Sequence, residues 1–199
     1  MNYKQNESGY YCFHKIIPVF LVVIAGTSDA YTYVARGNVF SCIQICNLVL
    51  LGIHLTNFYI SDMLKYLIPI LLFVFGIFVS EIVRAANKNA KSIYVKSVFQ
   101  VGVIAFVFVG FIPSFLNWLA NGILSFLCGY CLKLIPQEFV AANLRIKCLK
   151  HVFLILAYIM GTFIGALLTL HLGLHAAFGL SGITFLTGVI LFQIYKYQN

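Results

Sequence analysis

Seven apolar stretches follow one another along almost the whole chain, and this pattern limits the fold more than any single motif does. They cover residues 16–34, 39–60, 66–83, 94–112, 115–135, 152–172 and 174–195. A helix needs about 20 predominantly apolar residues to cross the hydrocarbon core of a bilayer, and each stretch is close to that length. Spanning segments must satisfy every backbone polar group internally, which leaves helices and closed barrels. Barrel strands are only about 9–11 residues long, so the lengths predict helices. The expected fold is all-α: a polytopic membrane helix bundle of six or seven transmembrane helices, in one integral membrane domain over residues 1–199, with 1–15 as a polar N-terminal tail. Composition supports this. The chain is 62% hydrophobic and 9% charged, against roughly 25% charged in soluble domains. So few charges do not cover the surface of a soluble globule, and such high hydrophobicity excludes a disordered chain.

The basic residues orient the bundle. Arg84, Lys88, Lys91 and Lys96 lie around the junction of the third and fourth stretches, and Lys133, Arg145, Lys147 and Lys150 around that of the fifth and sixth. The turns between four and five and between six and seven carry no Lys or Arg. The positive-inside rule places residues 84–96 and 137–150 in the cytoplasm, together with Lys196 and the C-terminus. The net charge of +8 is thus spread over short runs rather than gathered in the patch or stripe that nucleic-acid binding requires. The expected partners are the lipid bilayer and a small solute or ion, with no nucleic acid; an oligomer is compatible with the pattern. The second stretch holds Gln44, Asn47, His54, Thr56 and Asn57. If it spans, there are seven helices and the N-terminus is outside. If it only dips in, there are six spans and both ends are inside. The sequence leaves both open.

Asp29 is the sharpest residue. A carboxylate on a membrane helix is costly, faces the bundle interior and marks a functional path. Gly26, Thr27 and Ser28 before it are small or polar enough to let the helix bend. Arg36, seven residues on, is placed to neutralise it in part. Gln44 and Asn47 share a helix face, as do Asn117 and Asn121 on either side of Trp118. The expected solute or ion path is lined by Asp29, Gln44, Asn47 and Asn121, with Asp29 pointing at the face of stretch two that bears Gln44 and Asn47. There it would be balanced between protonation, favoured by desolvation, and ionisation, favoured by hydrogen bonds from Asn47 or Gln44. The blander alternative is a hydrated carboxylate near the interface and asparagines acting as interhelical glue.

The six cysteines are Cys12, Cys42, Cys46, Cys128, Cys131 and Cys148. Cys128-x-x-Cys131 lacks the second ligand pair of a zinc site and the βαβ setting of a thioredoxin motif. The expectation is small residues packed between helices. His171 and His175 stand four apart, but with no third ligand nearby. No metal, cofactor or nucleophile motif is expected, and the chain is read as not an enzyme.

Gly76 and Ser80 in stretch three, and Gly161 and Gly165 in stretch six, form small-x-x-x-small pairs that let helix backbones approach closely. Stretches three and six are therefore expected to pack on each other. Gly26 and Gly129 sit at comparable places in stretches one and five, and Gly37 follows stretch one as a bending point. These echoes suggest two halves. With a re-entrant second stretch the halves become inverted copies of three spans each, an arrangement used by secondary transporters.

The run from Gly26 to Gly52 resembles the opening signature of the YoaK-like family of uncharacterised bacterial inner-membrane proteins: G-x-x-D-A, then G-x-V-F, then T-G-N and a Leu-rich run ending in Gly. Gly26, Asp29, Ala30, Gly37, Val39, Phe40, Asn47 and Gly52 match in type and spacing. Ile45 and Cys46 stand where the Thr and Gly of T-G-N are expected, and the related T-G of the second half is absent near Gly129. The resemblance implies a multi-pass protein of the bacterial inner membrane and adds no substrate. The reading that follows is a small secondary transporter or permease with an intramembrane carboxylate. The alternative is a non-transporting membrane protein that organises partners or lipids.

Overall fold

A computed structural model of the chain describes the backbone of residues 3–56, 60–86, 91–132 and 144–198. The apolar stretches become helices: α1 (Tyr3–Ala35), α2 (Gln44–Leu55), α3 (Ile60–Ala86), α4 (Lys91–Phe111), α5 (Asn117–Leu132), α6 (Leu144–Leu172) and α7 (Ala176–Gln198). Single 3-10 turns at Ser114–Leu116 and Gly173–His175 join α4 to α5 and α6 to α7. There is no strand among the described residues. Helix α1 runs back through the polar tail as far as Tyr3. Much of the two basic segments, residues 87–90 and 133–143, lies outside the described residues.

Among the described residues, three apolar helical stretches are long enough to cross a membrane: Ile17–Ala35, Ile60–Val83 and the α6–α7 run His151–Gln193. The distribution of polarity fits a lipid solvent. Phe75, Phe78, Ile104, Phe108, Phe163 and Leu170 face outwards, while Asp29, Thr32, Arg36, Asn47 and Asn121 are buried. Polar groups are excluded from lipid and gather where protein can satisfy them.

The second apolar stretch does not form one long helix. Gly37 (φ 90°) and Asn38 (φ 62°) both take left-handed backbone, which Gly adopts freely and Asn tolerates. Helix α1 stops there, and residues 36–43 return non-helically to the start of α2. At 1.5 Å per residue, the 12 residues of α2 rise only about 18 Å, short of the roughly 30 Å hydrocarbon core.

The main helix pairings are α1 with α6, α3 with α5, and α4 with α7. A core of Tyr31, Phe106, Val109, Ile112, Ala120, Leu124 and Leu180 fills the space between α1, α4, α5 and α7. The expected packing of stretch three on stretch six is not found. Gly161 lies against the Val23 carbonyl and Gly165 against the backbone of Thr27, both on α1, while Gly26 faces the backbone of Tyr158 and Thr162. Gly76 lies against the Phe126 carbonyl of α5, and Gly129 against that of Phe73 on α3. Ser80 is buried. The glycines do mark close approaches, but each bare face meets the helix whose own glycine is complementary. The set of pairings maps onto itself when α1, α3 and α4 are exchanged with α5, α6 and α7.

Gly161→Leu tests this packing. Any Cβ at this position would run into the Val23 backbone, which has no flexible side-chain end to yield. The variant should lose about 1–3 kcal/mol, the usual cost of overpacking, read as a lower thermal midpoint in detergent. Leucine at the open Gly52, which has nothing within 4 Å of its Cβ position, should leave the midpoint unchanged.

Candidate functional site

The polar interior is built around residues 36–43, lodged between α1, α5 and α6. Asp29 faces this segment from α1. Its Oδ1 accepts hydrogen bonds from the Cys42 N–H (2.6 Å) and the Ser41 hydroxyl (3.0 Å). Its Oδ2 accepts from the Ile43 N–H (3.2 Å) and the Tyr158 hydroxyl of α6 (2.8 Å). Ser28 Oγ lies 2.8 Å from Ser41 Oγ and extends the chain. Ile43 stands immediately before α2 without a side-chain cap of its own. The carboxylate therefore supplies, from another helix, acceptors for amides at the α2 N-terminus, where the helix dipole favours negative charge. An ionised carboxylate has about four acceptor positions, and four donors occupy them.

Asn47 pins the same segment from the other side. Its Oδ1 accepts from the Phe40 N–H (3.0 Å), and its Nδ2 donates to the Phe40 carbonyl (2.6 Å) and to Gln44 Oε1 (2.8 Å). Gln44 Nε2 donates to the Ser41 carbonyl (2.8 Å) and reaches Ser125 Oγ on α5 at 3.5 Å.

Arg36 closes one end of the site and is fully buried. Nε donates to the Tyr31 hydroxyl (2.8 Å), Nη2 to the Val109 carbonyl (2.6 Å), and Nη1 to the Ile112 carbonyl (2.7 Å) and Asn117 Oδ1 (3.3 Å). Tyr31 passes the chain on to the Leu174 carbonyl (3.1 Å) before α7. The guanidinium thus caps the carbonyl end of α4, the negative end of that helix's dipole.

Asn121 lies between these two centres. Its Nδ2 donates to the Arg36 carbonyl (2.9 Å). Its Oδ1 is buried and has no hydrogen-bond partner. Along α5, Asn117, Asn121, Ser125 and Cys128 form one polar stripe that meets the 36–47 segment at each step. Its last member is joined to Cys42 by a disulfide, with a Cα–Cα distance of 5.4 Å.

The structure places Asp29, Gln44, Asn47 and Asn121 around the 36–43 segment and differs from the sequence reading in three details. Asp29 is held by backbone amides, Ser41 and Tyr158, and by neither Gln44 nor Asn47. No ion pair joins Asp29 to Arg36, because each serves a different helix end. Cys42 and Cys128 are paired rather than packed as separate thiols; the turn at Gly37 and Asn38 brings Cys42 back against α5. Sequence reasoning missed Ser41, Ser125 and Tyr158. The spacing of Asn117, Asn121 and Ser125 at successive i,i+4 positions carries the α5 stripe, whereas a lone Tyr in an apolar helix gives no signal. No group of three or more His, Cys, Asp or Glu side chains suited to a metal occurs among the described residues.

The site is a buried carboxylate and a buried guanidinium at either end of residues 36–43, in a helical chain with apolar helices long enough to cross a membrane. The model of the family described as "Protein of unknown function (DUF1275)" matches residues 17–138, more than half of the chain, and the chain belongs to that family. The match takes in the whole polar segment. No curated protein and no solved structure matches the chain.

Proposed function

We propose that this protein is a small secondary transporter or permease of the bacterial inner membrane, with six spans and a re-entrant second stretch. Helices α1, α3 and α4 form one half and α5, α6 and α7 an inverted second half. The exchange symmetry of the helix pairings supports this, as does the resemblance of Gly26–Gly52 to the YoaK-like signature. Discontinuous helices at the interface of two such halves are where transporters hold solutes and coupling ions. The observation that carries the reading is Asn121 Oδ1, a buried acceptor with no partner beside a non-helical segment. Leaving such a group unpaired costs about 1–3 kcal/mol, which a solute or ion able to donate or coordinate would offset.

The test is uptake in proteoliposomes under an imposed proton or sodium gradient, screened over a panel of small solutes. A solute-dependent current should appear with wild type and vanish in Asn121→Leu, whose detergent stability is measured alongside. A wild type silent across the panel, or an Asn121→Leu variant with unchanged currents, counts against transport. Orientation is tested separately with single cysteines at positions 88 and 145 on a Cys-less background. An impermeant maleimide added from outside should label neither.

A second reading has its own observation. All four acceptor positions of Asp29 are filled by the protein, so the carboxylate is suited to holding residues 41–43 in place. A non-transporting membrane protein that organises partners or lipids needs only that.

A further inference from the structure

Four of the cysteines lie on two elements that meet at a disulfide. Cys42 and Cys46 are on the re-entrant segment and the first turn of α2, and Cys128 and Cys131 are on the last turns of α5. Cys42 is bonded to Cys128, while Cys46 and Cys131 are free thiols. The bonded residue is also the one that grips the carboxylate, since the Cys42 N–H donates to Asp29 Oδ1 at 2.6 Å. One residue therefore ties the segment covalently to α5 and electrostatically to α1. Without the covalent tie, the polar tether from this level of the segment to α5 is the 3.5 Å approach of Gln44 to Ser125, at the outer limit of a hydrogen bond.

We infer that Cys42–Cys128 is a thiol–disulfide exchange site, opened by dithiol reductants, that latches the α2 entrance segment onto α5. The chemistry balances with a dithiol as the two-electron donor. A thiolate of the dithiol attacks Cys128 Sγ and forms a mixed disulfide. Cys42 leaves as a thiolate and takes up a proton. The second thiol of the reductant then displaces Cys128, which is also protonated, and the reductant departs as a cyclic disulfide. In the opened state residues 41–43 lose their fixed distance from α5, and their bonds to Asp29 open more often. The amides of Cys42 and Ile43 then exchange with solvent more readily. The inference does not depend on transport, because both of its readouts are structural.

The test uses the full chain carrying Cys12→Ser and Cys148→Ser, purified in detergent without reductant. After denaturation, a mass-tagged maleimide should add two tags, on Cys46 and Cys131. After dithiothreitol it should add four, and peptide mapping of the unreduced sample should recover a Cys42–Cys128 linkage. Four tags without reductant would overturn the site. In the folded protein, hydrogen exchange of a peptide covering residues 40–46 should speed up at least tenfold on dithiothreitol treatment. Cys128→Ser should show the same fast exchange without reductant. A linkage whose reduction leaves exchange unchanged would overturn the latch. If Cys128→Ser fails to fold, reduction of the parent protein still decides the question.

Discussion

Arg36→Met should be the most damaging single substitution in this bundle, losing at least about 1–3 kcal/mol, the cost of a single buried acceptor left without its donor. Methionine fills similar volume and is at ease in an apolar interior, so the loss is one of hydrogen bonds rather than of packing. The carbonyls of Val109 and Ile112, Asn117 Oδ1 and the Tyr31 hydroxyl all lose a charged donor. The Val109 carbonyl keeps the Ile112 N–H (3.1 Å), but the Ile112 carbonyl lies past the end of α4, where no helical amide follows to replace the guanidinium. Denaturant unfolding in mixed micelles should show the drop directly. Arg36→Lys keeps the charge but not the planar fork that reaches both carbonyls, and it should fall between wild type and Arg36→Met. A loss below about 1 kcal/mol for Arg36→Met would show that the α4 end is satisfied by other means, because one ordinary hydrogen bond is already worth that much.

The fold was legible wherever a physical requirement acts on a whole segment. The length of the apolar stretches marks α1, α3, α6 and α7 because the bilayer fixes how many residues a span must have. The polar residues of stretch two signal a break, but its geometry depends on Gly37 and Asn38 taking left-handed backbone. Such a turn looks like any other Gly-Asn pair in sequence. Helix pairing was not legible at all. A small-x-x-x-small motif marks a face that can be approached closely and carries no information about which helix approaches it. Gly161 and Gly165 could have met Gly76 as readily as the Gly26 face they do meet.

The site was legible as residues and not as bonds. Asp29, Asn47 and Asn121 stand out because polar groups are rare in such a chain, yet the partners assigned to Asp29 were the nearest polar side chains. Its actual partners include two backbone amides, donors that every residue carries and that no residue type announces. Arg36 stands about 10 Å from Asp29 along the helix axis and turns instead to the carbonyls of Val109 and Ile112. What remained hidden was that each charge had a helix terminus within reach, since that depends on where α2 starts and α4 stops.

Asp29→Asn should therefore destabilise the protein, even though it keeps the shape of the side chain. The amide has one acceptor oxygen and one donor nitrogen. If the oxygen stays with Cys42 and Ser41, the nitrogen faces the Ile43 N–H, and two donors point at each other. The Tyr158 hydroxyl can turn and accept, but the Ile43 amide cannot. The expected loss is about 1–3 kcal/mol, the cost of a buried donor left unpaired, seen as a lower unfolding midpoint and faster hydrogen exchange at residues 42 and 43. Tyr158→Phe removes one of the four donors and leaves an acceptor position empty rather than opposed, so it should lose less. The order wild type, Tyr158→Phe, Asp29→Asn is the signature of a clasp at the start of α2. An Asn variant as stable as wild type, with both amides still protected, would mean the carboxylate is not what holds the segment. The comparison also governs how any transport result is read. A transport defect in Asp29→Asn reports on coupling through the carboxyl only if Tyr158→Phe, which loosens the same clasp without removing the charge, still transports.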